Sequence, residues 1–511
     1  MADEQTGVPA FSALAPPDTH NQRLEASVHP RDWTNPEGDG RYNLVVVGAG
    51  TAGLVAAAGA AGLGARVALV ERSLMGGDCL NVGCVPSKAL IRSARAAAEV
   101  RRAAEFGVDV PDGVRVDFGR VMERLRRLRA DISPHDSADR FRSLGVDVFL
   151  GEGRFVGRRS LEVDGRRLGF ARALVATGGR AAEPGVPGLG PGRYLTNETL
   201  FSLTELPATM AVLGAGPIGC EMAQAFARLG TRVVVIAISP TVLPREDPEA
   251  TAFVESALRA DGVNLVLGAR VTAAEPAGAL TRLHYLAAER RETVEVEAVL
   301  VAAGRRANVD GLGLEQAGVE FDPAGVLVDD FLRTTNPAIY AAGDVVPSYK
   351  FTHAADAMAR IVLRNALFFG RARLSALTVP WCTYTSPELA HVGLTEADAA
   401  RRSVAVDVSR LPLAEADRAR LDGDDGLLKL LLHRGTDRIA GATLVAPDAG
   451  SILSELTLVM TAGLGLGRLA ETIHPYPTQA EILKRAADAH NRRRLTPRVR
   501  RLFETLLAWR R

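Results

Sequence analysis

Leu44-Val45-Val46-Val47-Gly48-Ala49-Gly50-Thr51-Ala52-Gly53 is the stretch on which the fold turns. An apolar run ending in glycine reads as a buried parallel strand, and the Ala-rich residues behind it read as a helix. The glycines allow a tight turn, close approach of backbone to a pyrophosphate, and close helix–strand packing. The helix N-terminus adds free N–H groups and a partial positive charge for the anion. A second strand is expected over 66–70. Glu71 ends it 23 residues past Gly48, where a carboxylate can accept from ribose hydroxyls. Strand, helix and acid at these spacings turn a weak glycine signature into a βαβ dinucleotide-binding unit.

A near copy begins at Met210. A strand over 210–213 runs into Gly214-Ala215-Gly216-Pro217-Ile218-Gly219, a helix to Leu229 and a strand over 232–236. The same offset of 23 now lands on Ala237, so the ribose-recognising acid is missing. That leaves NADH and NADPH both open. Arg245 is the nearest downstream cation for a 2′-phosphate, or else an ordinary solvated loop arginine. Two βαβ units in one chain imply two dinucleotide-binding domains of α/β class.

The rest of the chain surrounds these units. Residues 1–41 are polar, without clear periodicity, and are expected as an extension lying on the surface or partly disordered. Short strands over 154–176 close on Ala176-Thr177-Gly178. Apolar runs at 298–304 and 339–342 end on Gly304 and on Gly343-Asp344. From about 375 to 490, strands at 427–432 and 439–445 alternate with a helix at 451–462, which suggests an α+β domain. Residues 492–511 carry eight arginines, with Leu502, Phe503, Leu506, Leu507 and Trp509 at helical spacing. The expected place of this basic amphipathic tail is a solvated or self-docked helix rather than an anionic membrane.

Composition excludes several classes. A net charge of +1 gives no argument for nucleic acid as a partner. Four cysteines are too few for a disulfide-stapled secreted scaffold. No uninterrupted apolar run is long enough to span a bilayer, and the N-terminus carries no signal pattern, so a cytoplasmic protein is expected.

The sharpest chemical signal is Gly76-Gly77-Asp78-Cys79-Leu80-Asn81-Val82-Gly83-Cys84-Val85-Pro86-Ser87-Lys88. Residues five apart do not face each other on a regular helix. Gly83 and Pro86 can distort the first turn enough to bring the two sulfurs together. A cysteine pair directly after a βαβ unit suggests redox catalysis, and a helix N-terminus with Lys88 nearby would favour a thiolate. A zinc site would need two more ligands, and no other Cys or His lies within about 40 residues. Cys220 and Cys382 are expected to be structural.

With these motifs in place, the chain resembles the FAD-dependent pyridine nucleotide–disulfide oxidoreductases, which include dihydrolipoyl dehydrogenase, glutathione reductase and mercuric reductase. Further markers are Ala303-Gly304-Arg305-Arg306 and Tyr384-Thr385-Ser386-Pro387-Glu388. The resemblance implies two Rossmann-like domains, for FAD and NAD(P), plus a C-terminal α+β dimerisation domain. The expected divisions are an extension at 1–41, an FAD-binding domain at 42–190, an NAD(P)-binding domain at 191–308, a return to the FAD domain at 309–372, a dimerisation domain at 373–490 and the tail at 491–511. A homodimer follows. The resemblance implies that Cys84 is the sulfur next to the flavin and Cys79 the outer sulfur. Lys88 would lie near the flavin and pair with Glu221, and Asp344 would hold the ribityl chain. Gly48, Gly50, Gly53, Glu71, Gly77, Thr177, Gly178, Gly214, Gly216, Gly219, Gly304 and Gly343 complete the expected cofactor-binding set.

The C-terminal domain departs from the disulfide reductases. Its run is His474-Pro475-Tyr476-Pro477-Thr478-Gln479-Ala480-Glu481. Aligning Pro477, Thr478 and Glu481 puts Tyr476 where those enzymes carry a catalytic histidine. Mercuric reductases also carry tyrosine there, and an Ala and an Arg-Glu-Asp-Pro run like Ala237 and residues 245–248. The tail holds no cysteine pair of the kind that hands over the metal. The expected activity is therefore NAD(P)H-dependent reduction of a thiophilic ion such as Hg(II), bound transiently by Cys79 and Cys84, or of a small disulfide. The alternatives are a dihydrolipoyl-dehydrogenase-type reductase with His474 as displaced base, and a redox-sensing flavoprotein.

Overall fold

The computed structural model describes residues 14–511. At its centre is a sheet in which Arg41–Val47 lies between Val67–Glu71 and Arg166–Val175, parallel to both. Val146–Leu150 extends it beyond Val67–Glu71. Ile339–Ala341, far along the chain, pairs parallel with Arg166–Val175. The strand residues Val45, Val46 and Leu69 are fully buried, as strands covered on both faces require. The helices Thr51–Gly62 and Thr352–Leu367 pack against each other on one face.

A second sheet repeats the arrangement. Its parallel order is Asn264–Leu267, Arg232–Ala237, Thr209–Leu213, Ala298–Val301. An antiparallel three-strand meander, Ala269–Ala277, Leu280–Ala287 and Arg290–Val296, covers one side. The third unit is an antiparallel five-stranded sheet, ordered Pro380–Thr383, Glu388–Gly393, Ile439–Ala446, Leu427–His433, Val406–Pro412. The helices Ala449–Thr461 and Glu481–Arg494 supply buried Leu453, Leu456, Ile482 and Leu483 to its core. The mixed α/β class with two Rossmann-like units is the one expected.

The N-terminal extension differs from its expectation. Residues 1–13 lie outside the described residues, but Thr19–Val28 is a helix capped by Asp18, which accepts from the Asn21 N–H. Its Leu24 and Val28 are fully buried. Arg126 pairs with Asp18, and Arg129 donates to the side-chain oxygen of Asn21. Trp33 donates to the Val148 carbonyl, and Asn35 bridges both backbone groups of Leu150. Two apolar residues four apart are enough to dock a helix whose other positions are mostly polar. Among the described residues, no helix is long and apolar enough to cross a membrane.

Candidate active site

The carboxyl ends of Arg41–Val47, Arg166–Val175 and Ile339–Ala341 meet at one crevice, the position where open α/β sheets bind ligands. Gly48, with φ of +103°, brings its Cα so near the neighbouring strand end that a Cβ would sit 2.4 Å from the Ala176 carbonyl oxygen. A Cβ on Gly53 would sit 1.8 Å from the Gly48 carbonyl oxygen, so the helix crosses the strand only with glycine there. Gly214 and Gly219 repeat these contacts, the latter at 2.1 Å from the Gly214 oxygen. Both turns open at the start of the following helix onto a continuous cleft of about 3380 Å³, the second offering the N–H groups past Pro217, which has none. Ordinary small-molecule pockets hold about 300–1,000 Å³, so this one has room for two dinucleotides. Glu71 accepts from the Ala49 N–H (2.6 Å) and the Ser73 N–H (2.8 Å), which fixes its carboxylate at the cleft wall. Burial raises its pKa.

The cleft gathers most of the expected residues: Gly48, Gly50, Glu71, Gly77, Cys79, Cys84, Lys88, Thr177, Gly178, Gly214, Gly216, Glu221, Gly304, Gly343 and Asp344 all line it. Gly53 and Gly219 lie beneath the turns and act through packing. Ala237 lines the cleft at the end of its strand, with Ser239 and Arg245 beside it.

Of the two candidate cysteines, Cys79 is half-buried and Cys84 faces the opening. The chain reaches them through a short helix, Gly77–Asn81, a break at Val82-Gly83, and the helix Cys84–Arg102. The break replaces the regular turn that would have kept the sulfurs apart. Cys84 is therefore the first residue of a long helix, where the dipole favours a thiolate. The bond from the Cys79 thiol lowers the Cys84 pKa to about 6, helped by the Thr352 hydroxyl at 3.3 Å and the Lys88 charge. The same bond, with burial, pushes Cys79 up. Of the two sulfurs, Cys84 is therefore the one whose thiolate is favoured.

Lys88 lies one helical turn beyond Cys84. Its ammonium bonds Glu221 at 2.9 Å and sits 4.2 Å from the centre of the Tyr384 ring. Glu221 is buried and also accepts from the Tyr384 N–H at 3.0 Å. Three separate elements thereby fix one cation beside the thiolate.

Arg305, Thr352 and Tyr384 were not expected as site residues. Arg305 pairs with Asp78, donates to the Gly179 carbonyl and lies 3.3 Å from Asp344, whose pKa burial raises. Its place inside the motif Ala303-Gly304-Arg305-Arg306 was a usable signal. Thr352 has none, because it lies 268 positions from the cysteine it touches.

Tyr476, Glu481 and His474 do not line the cleft of their own chain. Tyr476 is 69% exposed, and its hydroxyl donates to Asp417 at 3.0 Å, which raises its pKa. The His474 side chain is 5% exposed, with Nε2 3.2 Å from Glu455 and Nδ1 3.3 Å from the Thr472 carbonyl. Glu481 pairs with Arg485. Among the described residues no cluster of three or more His, Cys, Asp or Glu could hold a resident metal ion.

A paired-thiol redox centre between two dinucleotide-binding turns defines the class: a flavin-dependent, pyridine-nucleotide-linked oxidoreductase. The chain belongs to the pyridine nucleotide–disulphide oxidoreductase family, whose model matches residues 42–359, and the family's dimerisation-domain model matches 379–487. Members of the family use FAD and NAD(P)H. The chain is 36% identical over 457 residues to mercuric reductase of Bacillus cereus, covering 88% of this chain and 72% of that one. It is 34% identical to dihydrolipoyl dehydrogenase of Chlamydia muridarum, covering 87% and 96%. Among solved structures it is similar to RclA of Escherichia coli, an HOCl-induced flavoprotein disulfide reductase, with a TM-score of 0.77 and 29% identity over 88% of this chain and 99% of that one. RclA has also been solved as a Cu(II) complex.

Proposed function

We propose that this chain carries an electron pair from NADPH or NADH, by way of FAD, to a thiophilic metal ion held between Cys79 and Cys84. The observation that carries the reading is the cysteine pair itself: Cys84 opens a helix beside Lys88 with its thiolate favoured over that of Cys79, and both residues line the cleft. Soft thiolates bind soft ions directly. FAD, when bound, supplies the two-electron relay between hydride donor and thiol pair.

The chain's own groups divide the remaining work. The turns at Gly48–Gly53 and Gly214–Gly219 receive the two pyrophosphates, and Glu71 and Asp344 accept from sugar and ribityl hydroxyls. Lys88, fixed by Glu221, keeps positive charge beside Cys84. Cys79 is the outer sulfur, and loss of its proton completes a two-thiolate site for the ion. For Hg(II) the balance is one hydride lost from the nicotinamide, two electrons gained by the metal, one proton released, and both sulfurs returned as thiols or thiolates.

Tyr476 supports metal over disulfide as oxidant. Breaking a disulfide needs a proton for the leaving thiolate, and a group titrating near neutrality delivers it best. Tyr476 titrates above that range, and Asp417 raises it further. His474 has both ring nitrogens engaged by oxygens. A homodimer supplies the geometry: Ile473, Tyr476 and Leu458 are 92%, 69% and 66% exposed on the dimerisation domain, and a two-fold axis would bring Tyr476 to the partner's cleft. The test is a steady-state comparison of oxidants. Hg(II) as a small-thiol complex should support NADPH oxidation, and lipoamide should support it at least tenfold less. Efficient lipoamide turnover, with kcat above ~10² s⁻¹, together with no effect of Tyr476→Phe on Hg(II), would reject the reading.

A further inference from the structure

The last helix, Pro497–Trp509, is capped by Thr496 and begins with Pro497 at its first turn. None of its residues is buried, and Trp509 is 83% exposed. Its side-chain bonds, Arg500 to Glu504 and Thr505 to the Arg501 carbonyl, stay within the helix. At 100° per residue, Trp509, Leu502, Leu506, Val499, Phe503 and Leu507 fill one arc of about 160°. Arg498 and Arg500 fall at the two edges of that arc, and Arg501 lies opposite. Arg492, Arg493 and Arg494 end the preceding helix, and Arg510 and Arg511 follow Trp509. Residues 492–511 hold eight arginines against one glutamate in a chain of net charge +1, so the remainder is net negative. The positive charge has been collected on one projecting amphipathic element.

We propose that this helix docks the enzyme on an anionic lipid surface. An apolar arc edged by arginines and ended by tryptophan is the composition of a helix that lies in the plane of a membrane interface. The arginine stems can bury along the acyl boundary while their heads meet lipid phosphates. A nucleic acid would satisfy the arginines but leave six apolar side chains in water. At about 20 Å the helix is too short to span a bilayer, so it lies on the surface.

The test uses the full-length FAD-loaded protein with vesicles of phosphatidylcholine alone and of phosphatidylcholine with phosphatidylglycerol. The protein should sediment with the anionic vesicles and not the neutral ones, and high salt should weaken binding. The double variants Leu502→Asp/Leu506→Asp and Arg498→Glu/Arg501→Glu should each lower partitioning at least ~tenfold. NADPH reduction of the flavin should be unchanged in both. As a second readout, emission from the wild type should shift to the blue on anionic vesicles, and Trp509→Phe should remove that shift. No sedimentation with either vesicle, or equal sedimentation with both, would overturn the proposal. So would strong amide protection of 497–509 in the lipid-free protein with a weakened dimer in the double variants, which would show that the helix covers a second copy of this chain.

Discussion

At the scale of single residues, the proposed chemistry rests on the unequal pair Cys79 and Cys84. Cys84 opens a helix, receives the Cys79 thiol and the Thr352 hydroxyl, and lies near Lys88, so its thiolate is favoured. Two-electron reduction should therefore produce the long-wavelength absorbance of a thiolate against oxidised flavin. Cys84→Ser should abolish that absorbance, and Cys79→Ser should retain it; the reverse pattern would exchange the roles of the sulfurs. A lowered pKa means the thiolate is present above it and lost below it, so the absorbance should fall as pH drops through about 6. A midpoint near the ordinary thiol value of ~8.5 would contradict the electrostatics. Thr352→Val should move the midpoint upward, because it removes a donor to the charged sulfur.

At the scale of elements, the glycine turns are the tightest constraint. Gly53→Ala places a methyl group 1.8 Å from a backbone oxygen, so helix and strand must separate. The expected cost is about 3 kcal/mol by urea unfolding, with a reduced ratio of flavin to protein absorbance. Unchanged stability would mean the crossing is looser than described. The second unit ends on neutral Ala237 with Arg245 on the lip of the cleft. Arg245→Ala should raise the KM for NADPH about tenfold and leave that for NADH unchanged, the loss of roughly one charged contact to a 2′-phosphate. These turns could be read in the sequence because contact between backbones admits no Cβ, and that exclusion is written locally as glycine. The break at Val82-Gly83 was legible for the same reason. Arg305, Thr352 and the helix Thr19–Val28 were harder. Their partners lie in distant parts of the chain, and two buried side chains, Leu24 and Val28, make too short an apolar pattern to stand out. Tyr476 and His474 were singled out by alignment to the family's pattern, and the fold of one chain keeps them away from its own cysteines.

At the scale of the whole molecule, the nucleotide-binding unit and the dimerisation domain are tied by a buried charge. Lys429 is 3% exposed and bonds Asp247 at 2.6 Å and Glu249 and Glu396 at 2.7 Å each. Lys429→Met leaves Asp247 buried without its cation and should destabilise the fold by about 3 kcal/mol, measured by chemical denaturation. Adding Asp247→Asn should restore part of that loss, since the stranded charge is then gone. Coupling of this kind holds the two units in register, as the proposed homodimer, with Tyr476 at the partner's cleft, requires. The most direct measurement of the central claim is a single turnover. The disulfide is first reduced anaerobically with one equivalent of NADPH, a small-thiol complex of Hg(II) is bound, and a second equivalent of NADPH then supplies the electron pair for the metal. The expected result is loss of the thiolate–flavin absorbance, formation of Hg(0), and failure of the metal step in both Cys79→Ser and Cys84→Ser. Persistence of that absorbance in the wild type, or Hg(0) formation at the wild-type rate in Cys79→Ser, would contradict it.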